Sequence, residues 1–304
     1  GLLAGEHAAV GVGGSGDGVI GDGASPALHL GLIGGQQRGI HIRQRGVVAE
    51  PQSGERLHKV HRVRAKVRVQ PSNAARNVGV SLAGGEYTAF LDSDDALDPD
   101  FCASLYAAAA EHSADLAYCH ILAVKNGTGT VWRNPVVESG EFAPSRLAYL
   151  KRYKSFFTSY IYKREFILGN GISFPATHSA EDSCFLAEAL LTAGRIACVD
   201  RPMYHYRLRG DSVSQKPDPG RWQQRMASFD ALLDFARDRG LYASYKEILD
   251  YIYIKKAAIG AARNYPSARR EILAHLSGQI PHWKQNHHLR RDLLCRAAAF
   301  ALLR

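Results

Sequence analysis

An apolar run, Tyr87-Thr88-Ala89-Phe90-Leu91, stops abruptly at Asp92-Ser93-Asp94-Asp95. Such a run reads as a buried strand, because no position in it alternates cleanly with a polar one. Upstream, residues 76–83 read as a helix closed by Gly84-Gly85, a common left-handed stop. Downstream, Asp98-Pro99 supplies an N-cap and a first-turn proline for a helix reaching about Glu111. Residues 114–124 read as a second strand, and Asn126-Gly127 signals a hairpin before Thr130-Val131-Trp132. This alternation predicts an α/β domain with a largely parallel sheet. In such sheets ligands sit beyond the carboxyl ends of the strands, where the acidic cluster falls.

Carboxylates at i and i+2 on the turn after a strand can converge on one hard cation, Mg²⁺ or Mn²⁺. In an arbitrary loop the same residues would be ordinary surface charge. Directly after a buried strand they imply a positive charge to hold. A phosphoryl-acceptor pattern of DxDxT type fails, because its fifth position is Ala96.

The rest of the chain divides unevenly. Residues 1–46 hold 14 of the 29 glycines and show neither helical nor strand periodicity. Gly11 to Gly16 satisfies a GxGxxG pattern, but the next residues, Asp17 to Gly23, cannot start a helix, so glycine abundance explains it. Residues 216–304 read as helical and carry 16 Lys/Arg against 8 Asp/Glu, most of the net charge of +9. There Trp222, Met226, Phe229 and Leu233 recur at helical spacing and Gly240 ends the helix. Further helices are expected over 245–263, after Pro266, and over 288–304. A basic end suggests an anionic partner, a lipid headgroup or polyanionic glycan, or plain solvated surface. Nucleic acid is disfavoured because no aromatic-basic recognition motif appears.

Five single cysteines without a CxxC pair argue against zinc and disulfides and fit a reducing cytoplasm. No apolar run reaches the roughly 18–20 residues of a membrane span, and no secretory leader is expected. Beginning at Gly1 rather than Met, the chain reads as a fragment or a processed form.

Asn73-Ala74-Ala75-Arg76-Asn77-Val78-Gly79, followed by Gly85-Glu86 and the stretch from Tyr87 to Asp95, closely resembles the GT-A-fold family 2 glycosyltransferases. The resemblance continues through Ile161-Tyr162-Lys163-Arg164, Phe174, Glu181-Asp182, Tyr204-His205-Tyr206-Arg207 and Ser212, covering about residues 71–215. It implies an α/β GT-A core, Rossmann-like, over 67–215 with a helical C-terminal region over 216–304. It also implies an inverting, metal-dependent enzyme of bacterial surface-polysaccharide assembly. Such an enzyme uses Mn²⁺ or Mg²⁺, a nucleotide-sugar donor and a glycan or lipid-linked acceptor. Its expected place is the cytoplasm, peripheral on the inner face of the cell membrane.

By that resemblance Asp94 binds the metal that bridges the donor diphosphate, and Asp92 contacts the nucleotide ribose or metal-bound water. Asp95 supports the loop, and Arg76 lies close to the nucleotide. Asp182, after Glu181, is the general base, with Glu181 at the substrate. His205 is a further metal ligand and Arg207 a diphosphate contact. Each has a structural alternative. Glu181-Asp182 can cap a helix over 183–193, His205 can be a packed strand histidine, and Arg207 can be surface charge.

Residues 1–70 lack the family's P-x-Y-N strand end and its Asp-Asp-Gly-Ser turn. Residues 1–66 are therefore expected to be an atypical, altered or weakly ordered zone. A catalytically inactive, glycosyltransferase-like binding or scaffolding protein is the alternative to an enzyme.

Overall fold

The computed structural model describes residues 7–12, 43–47, 60–64, 72–92, 94–208 and 218–303. Two compact units emerge. One comprises residues 1–144, 156–173 and 192–212; the other comprises 145–155, 174–191 and 213–304.

The first unit is built on a sheet. Its strands are β1 (His7–Val12), β4 (Tyr87–Asp92), β5 (Ala96–Leu97), β6 (Leu116–Lys125), β7 (Thr128–Trp132), β8 (Gly140–Glu141), β9 (Tyr160–Lys163) and β10 (Arg195–Arg207). They run in the order β1-β4-β9-β6-β10-β5, with β7 also on β6 and β8 also on β10. β2 (Arg43–Val47) and β3 (Val60–Arg64) form a separate antiparallel pair. Helices α1 (Ser72–Leu82), α2 (Phe101–Glu111) and α4 (Arg164–Gly169) accompany them.

The sheet is mixed rather than largely parallel. Among the described strands, β6 and β10 are the parallel pair, while β4 runs antiparallel to both β1 and β9. The helix–strand alternation suggested parallel crossovers, but the Asn126-Gly127 hairpin and the short β9 insert antiparallel neighbours. Asn126 and Gly127 take φ of 50° and 79°, the mirror-image turn that matches strand twist.

Tyr87, Ala89 and Phe90 are all buried, as are Leu116 to Ile121 of β6, so both faces of these strands are covered. Phe101 and Leu105 of α2 pack into the same core with Ile161 and Met203. Each such side chain contributes about 1.5–3 kcal/mol by leaving water. The buried Tyr87 hydroxyl donates to Ala114 O at 2.6 Å, which satisfies the polar tip at no loss of packing.

The N-cap expected for α2 is corrected. Asp100 stands at that position without a side-chain cap bond, and the Asp98 carboxylate turns instead to His205. Strands also occur inside the glycine-rich zone, where none was expected. Most of residues 1–66, including residues 13–16 of the GxGxxG pattern, lies outside the described residues, as does Ser212.

The second unit is helical: α3 (Arg146–Arg152), α5 (Glu181–Thr192, its last residue in the first unit), α6 (Arg221–Asp238), α7 (Tyr242–Ile252), α8 (Gly260–Asn264), α9 (Arg269–Gln279), α10 (His287–Arg291) and α11 (Leu293–Leu302). Gly240 ends α6 with φ of 66°. Between α7 and α8, Tyr253–Ile259 winds as a π-helix, a wide turn frequent at functional sites. The helix expected over 288–304 is two helices broken at Asp292. Its carboxylate caps α11 by accepting from Cys295 N at 2.9 Å and also takes the Tyr251 hydroxyl.

Candidate functional site

In the first unit the acidic turn lies between β4 and β5, and β5 pairs with Tyr204 and His205 near the end of β10. Two of the expected residues meet there directly. Arg76 Nη2 lies 3.2 Å from Asp92 Oδ1, with Arg76 only 6% exposed and its guanidinium 4.7 Å above the Phe157 ring. Stacking and pairing together fix the guanidinium plane, which an ammonium could not reproduce.

Asp95 is held from β10. It accepts the Tyr204 hydroxyl at Oδ2 (2.7 Å) and the Arg207 N–H at Oδ1 (2.8 Å), and its own N–H closes the turn onto Asp92 O at 3.0 Å. Burial pushes the Asp95 carboxyl up to about 6, against the pull of those two donors, while Asp92 and Asp94 add to the rise. The turn thus concentrates negative charge and gains from any cation placed beside it.

His205 Nε2 lies 2.6 Å from Asp98 Oδ1. A carboxylate on one ring nitrogen fixes the ring and its tautomer, as behind many metal-ligating histidines. The Arg207 side chain is exposed, while its backbone serves Asp95. Among the described residues no three His, Cys, Asp or Glu side chains converge in a geometry that could hold a metal. The donor set is all carboxylate at the turn itself. It suits a hard ion that takes one or two protein oxygens and completes its shell with substrate phosphates.

In the second unit Glu181 and Asp182 open α5, both half-buried. Asp182 Oδ1 accepts the Ser183 N–H at 2.7 Å, so this carboxylate does serve the helix start. The residue before the pair, Ala180, sits at φ 66°, a region that L side chains other than Asn and Asp rarely adopt. The strained approach is clamped by buried Ser228 of α6, which donates to Ser179 O at 2.7 Å and bonds the Thr177 hydroxyl. Backbone strain of this kind is retained where the surroundings over-determine it.

Several contributors escaped the sequence. Tyr204 belonged to a recognised segment, but nothing in the pattern shows that its hydroxyl reaches Asp95. Phe157 and Ser228 have no local signal at all.

The family 2 glycosyl transferase model matches residues 51–176. The chain carries a family 2 glycosyltransferase domain. EpsH of Bacillus subtilis, a glycosyltransferase by name only, is 27% identical over 198 residues, covering 62% of this chain and 57% of its own. The poly(ribitol-phosphate) beta-N-acetylglucosaminyltransferase TarS of Staphylococcus aureus is 31% identical over 141 residues, 44% of this chain and 23% of its own. The chain thus spans little more than half the length of EpsH and less than that of TarS. Residues 1–349 of TarS in complex with UDP superpose with a TM-score of 0.52 at 20% identity, covering 80% of this chain and 72% of that one. That likeness establishes the fold, an α/β GT-A core with C-terminal helices, and the glycosyltransferase domain lies within it. Among the described residues no helix is long and apolar enough to cross a membrane.

Proposed function

We propose that this glycosyltransferase domain moves a sugar from a nucleotide-diphosphate donor onto an acceptor hydroxyl with inversion, with the acidic turn after β4 as the donor's metal site. The observation that carries the reading is the turn itself, a strand-end cluster of carboxylates with Asp92 paired to Arg76 and Asp95 fixed by Tyr204. A UDP complex of the structurally similar TarS supports a nucleotide donor.

Asp94 and Asp92 would hold Mn²⁺ or Mg²⁺, its shell completed by substrate phosphates, with His205 next to the turn as a further ligand only once substrate and ion draw the two together. The ion, when bound, neutralises charge on the departing diphosphate. Arg76 orients the nucleotide side of the donor, and Arg207 meets the diphosphate. Asp182 takes the proton of the acceptor hydroxyl as it attacks the anomeric carbon, with Glu181 beside it at the substrate. Most of the rate gain from such an arrangement is positioning and preorganised charge.

The acceptor is a growing surface glycan or a lipid-linked sugar, presented at the inner face of the cell membrane. Near the C-terminal end Leu289 and Leu303 are buried, at 1% and 2% exposure, and pack as part of the protein. The exposed apolar pair is Leu293 and Leu294, at 66% and 86%, in a sequence that also carries Arg290, Arg291 and Arg296. Leucines flanked by arginines suit an anionic lipid surface.

The test is release of nucleoside diphosphate from UDP-, GDP- and dTDP-sugars with Mn²⁺ and with EDTA, together with the anomeric configuration of the product. Metal-dependent release and an inverted product are expected. A catalytically inactive binding protein would bind nucleotide and release nothing from any donor.

A further inference from the structure

We propose that Lys256, on the π-helical turn, is a positioning residue for Asp182: it ties down the first turn of α5 and supplies the positive charge opposite that carboxylate. The inference rests on the reading of Asp182 as the base. Lys256 Nζ donates to Ser155 Oγ at 3.1 Å and lies 4.1 Å from the centre of the Tyr153 ring. Both of those residues reach the residue after Asp182. Ser155 Oγ bonds Ser183 Oγ, and the Tyr153 hydroxyl donates to Ser183 O at 3.2 Å. One lysine therefore touches both struts that hold the start of α5.

The placement of Lys256 is itself built. Arg225 Nε donates to Lys256 O at 2.9 Å, a carbonyl on the wide turn. Gly260 makes room for that guanidinium, since a Cβ there would sit 3.1 Å from Arg225 Nε. Two half-buried cationic residues thus meet at that carbonyl.

The charges balance locally. Asp182 acts on both Lys256 and Arg225; Glu181 adds to the field at Arg225 from α5, Lys255 opposes it from Lys256's own turn, and Cys184, its thiol kept neutral by burial, lies beside them. Burial pulls the Lys256 ammonium down to about 8, with Asp182 the largest influence in the other direction. An ammonium kept in so little water needs an anion beside it, and the reciprocal effect favours the ionised carboxylate of a base.

A structural staple would make the same hydrogen bonds, so the experiment must read ionisation as well as fold. In the full chain, Lys256→Met, Lys256→Arg, Ser155→Ala and Asp182→Asn are compared with the wild type. The readout is nucleoside diphosphate release from the donor that the wild type accepts, with Mn²⁺, across pH 5 to 9. Lys256→Met should keep the donor KM within about two-fold, lose at least ten-fold in kcat, and move the acidic limb of kcat to higher pH. Lys256→Arg should restore most of the rate and the limb, and Ser155→Ala should lose kcat by a smaller factor with the limb unmoved. An unmoved limb in Lys256→Met, or an unchanged kcat, overturns the proposal while Asp182→Asn remains inactive. Should Lys256→Met not fold, an unchanged kcat in Ser155→Ala overturns it equally. Full activity of Asp182→Asn overturns the base assignment and the proposal with it.

Discussion

The Tyr204 hydroxyl lies 2.7 Å from Asp95 Oδ2, so the buried end of β10 fixes the acidic turn that follows β4. Tyr204→Phe deletes one donor to a carboxylate and leaves the rest of the ring packed. Hydrogen bonds to charged groups contribute about 1.5–3 kcal/mol. The variant should melt a few degrees lower and bind donor more weakly, by thermal denaturation and nucleotide titration. An unchanged melting point with full affinity would remove Asp95 from the framework of the site.

Ala180 holds φ at 66° immediately before Glu181. The left-handed region costs an L residue roughly 1–2 kcal/mol, of which the greater freedom of unfolded glycine returns about 0.4–1. Ala180→Gly should therefore stabilise the protein by about 0.5–1 kcal/mol, and Ala180→Val should destabilise it. Denaturant titration checks both signs. A less stable Ala180→Gly would mean the strain is absent in solution.

Lys256 supplies a pH dependence that can be isolated by substitution. Its folded-state value, about 8, lies below the ordinary 10.5, so between those values the unfolded chain binds more protons. Stability then rises with pH across that window as far as this group is concerned. The stability of wild type relative to Lys256→Met should increase from pH 8 towards 10, read by denaturant midpoints at fixed ionic strength. A flat difference would show that the ammonium is not desolvated. The groups facing it, Asp182, Arg225, Lys255 and Cys184, are common to both proteins.

Leu293 and Leu294 are the most exposed large apolar residues among the described residues of the second unit. Replacing both by serine should leave the melting temperature within about a degree, because surface substitutions change stability by less than about 0.5 kcal/mol. Pelleting with anionic vesicles should fall, and high salt should weaken what remains. Equal pelleting by wild type and variant would take the membrane out of the account.

How far the sequence reached depended on how local each signal was. The β4 run, the Asn126-Gly127 hairpin and the Gly240 stop all rest on residues within a few positions of one another, and each is found; the helix before Gly84 is found too, ending at Leu82, but without the left-handed stop expected at Gly84-Gly85. Sheet direction is not local. Whether β9 runs with or against β4 depends on partners far apart in the chain, and the sheet proved mixed. The acidic turn was legible because strand and carboxylates adjoin, whereas its support by Tyr204 spans 109 positions. Lys256 gave no signal, since a lysine on a helical stretch normally reads as solvated. Asp292 broke a helix drawn as continuous, because its carboxylate had backbone and hydroxyl donors to satisfy.

Metal-dependent nucleotide binding at the β4 turn tests the central claim most directly. Isothermal titration of UDP, GDP and dTDP into wild type and Asp94→Ala, each with Mn²⁺ and with EDTA, measures it without knowledge of sugar or acceptor. At least one nucleotide should bind wild type ten-fold or more tightly with Mn²⁺, and Asp94→Ala should bind it weakly and equally in both buffers. Wild-type affinity that ignores EDTA, or an Asp94→Ala variant that keeps the full Mn²⁺ gain, would contradict a metal-held donor at this turn.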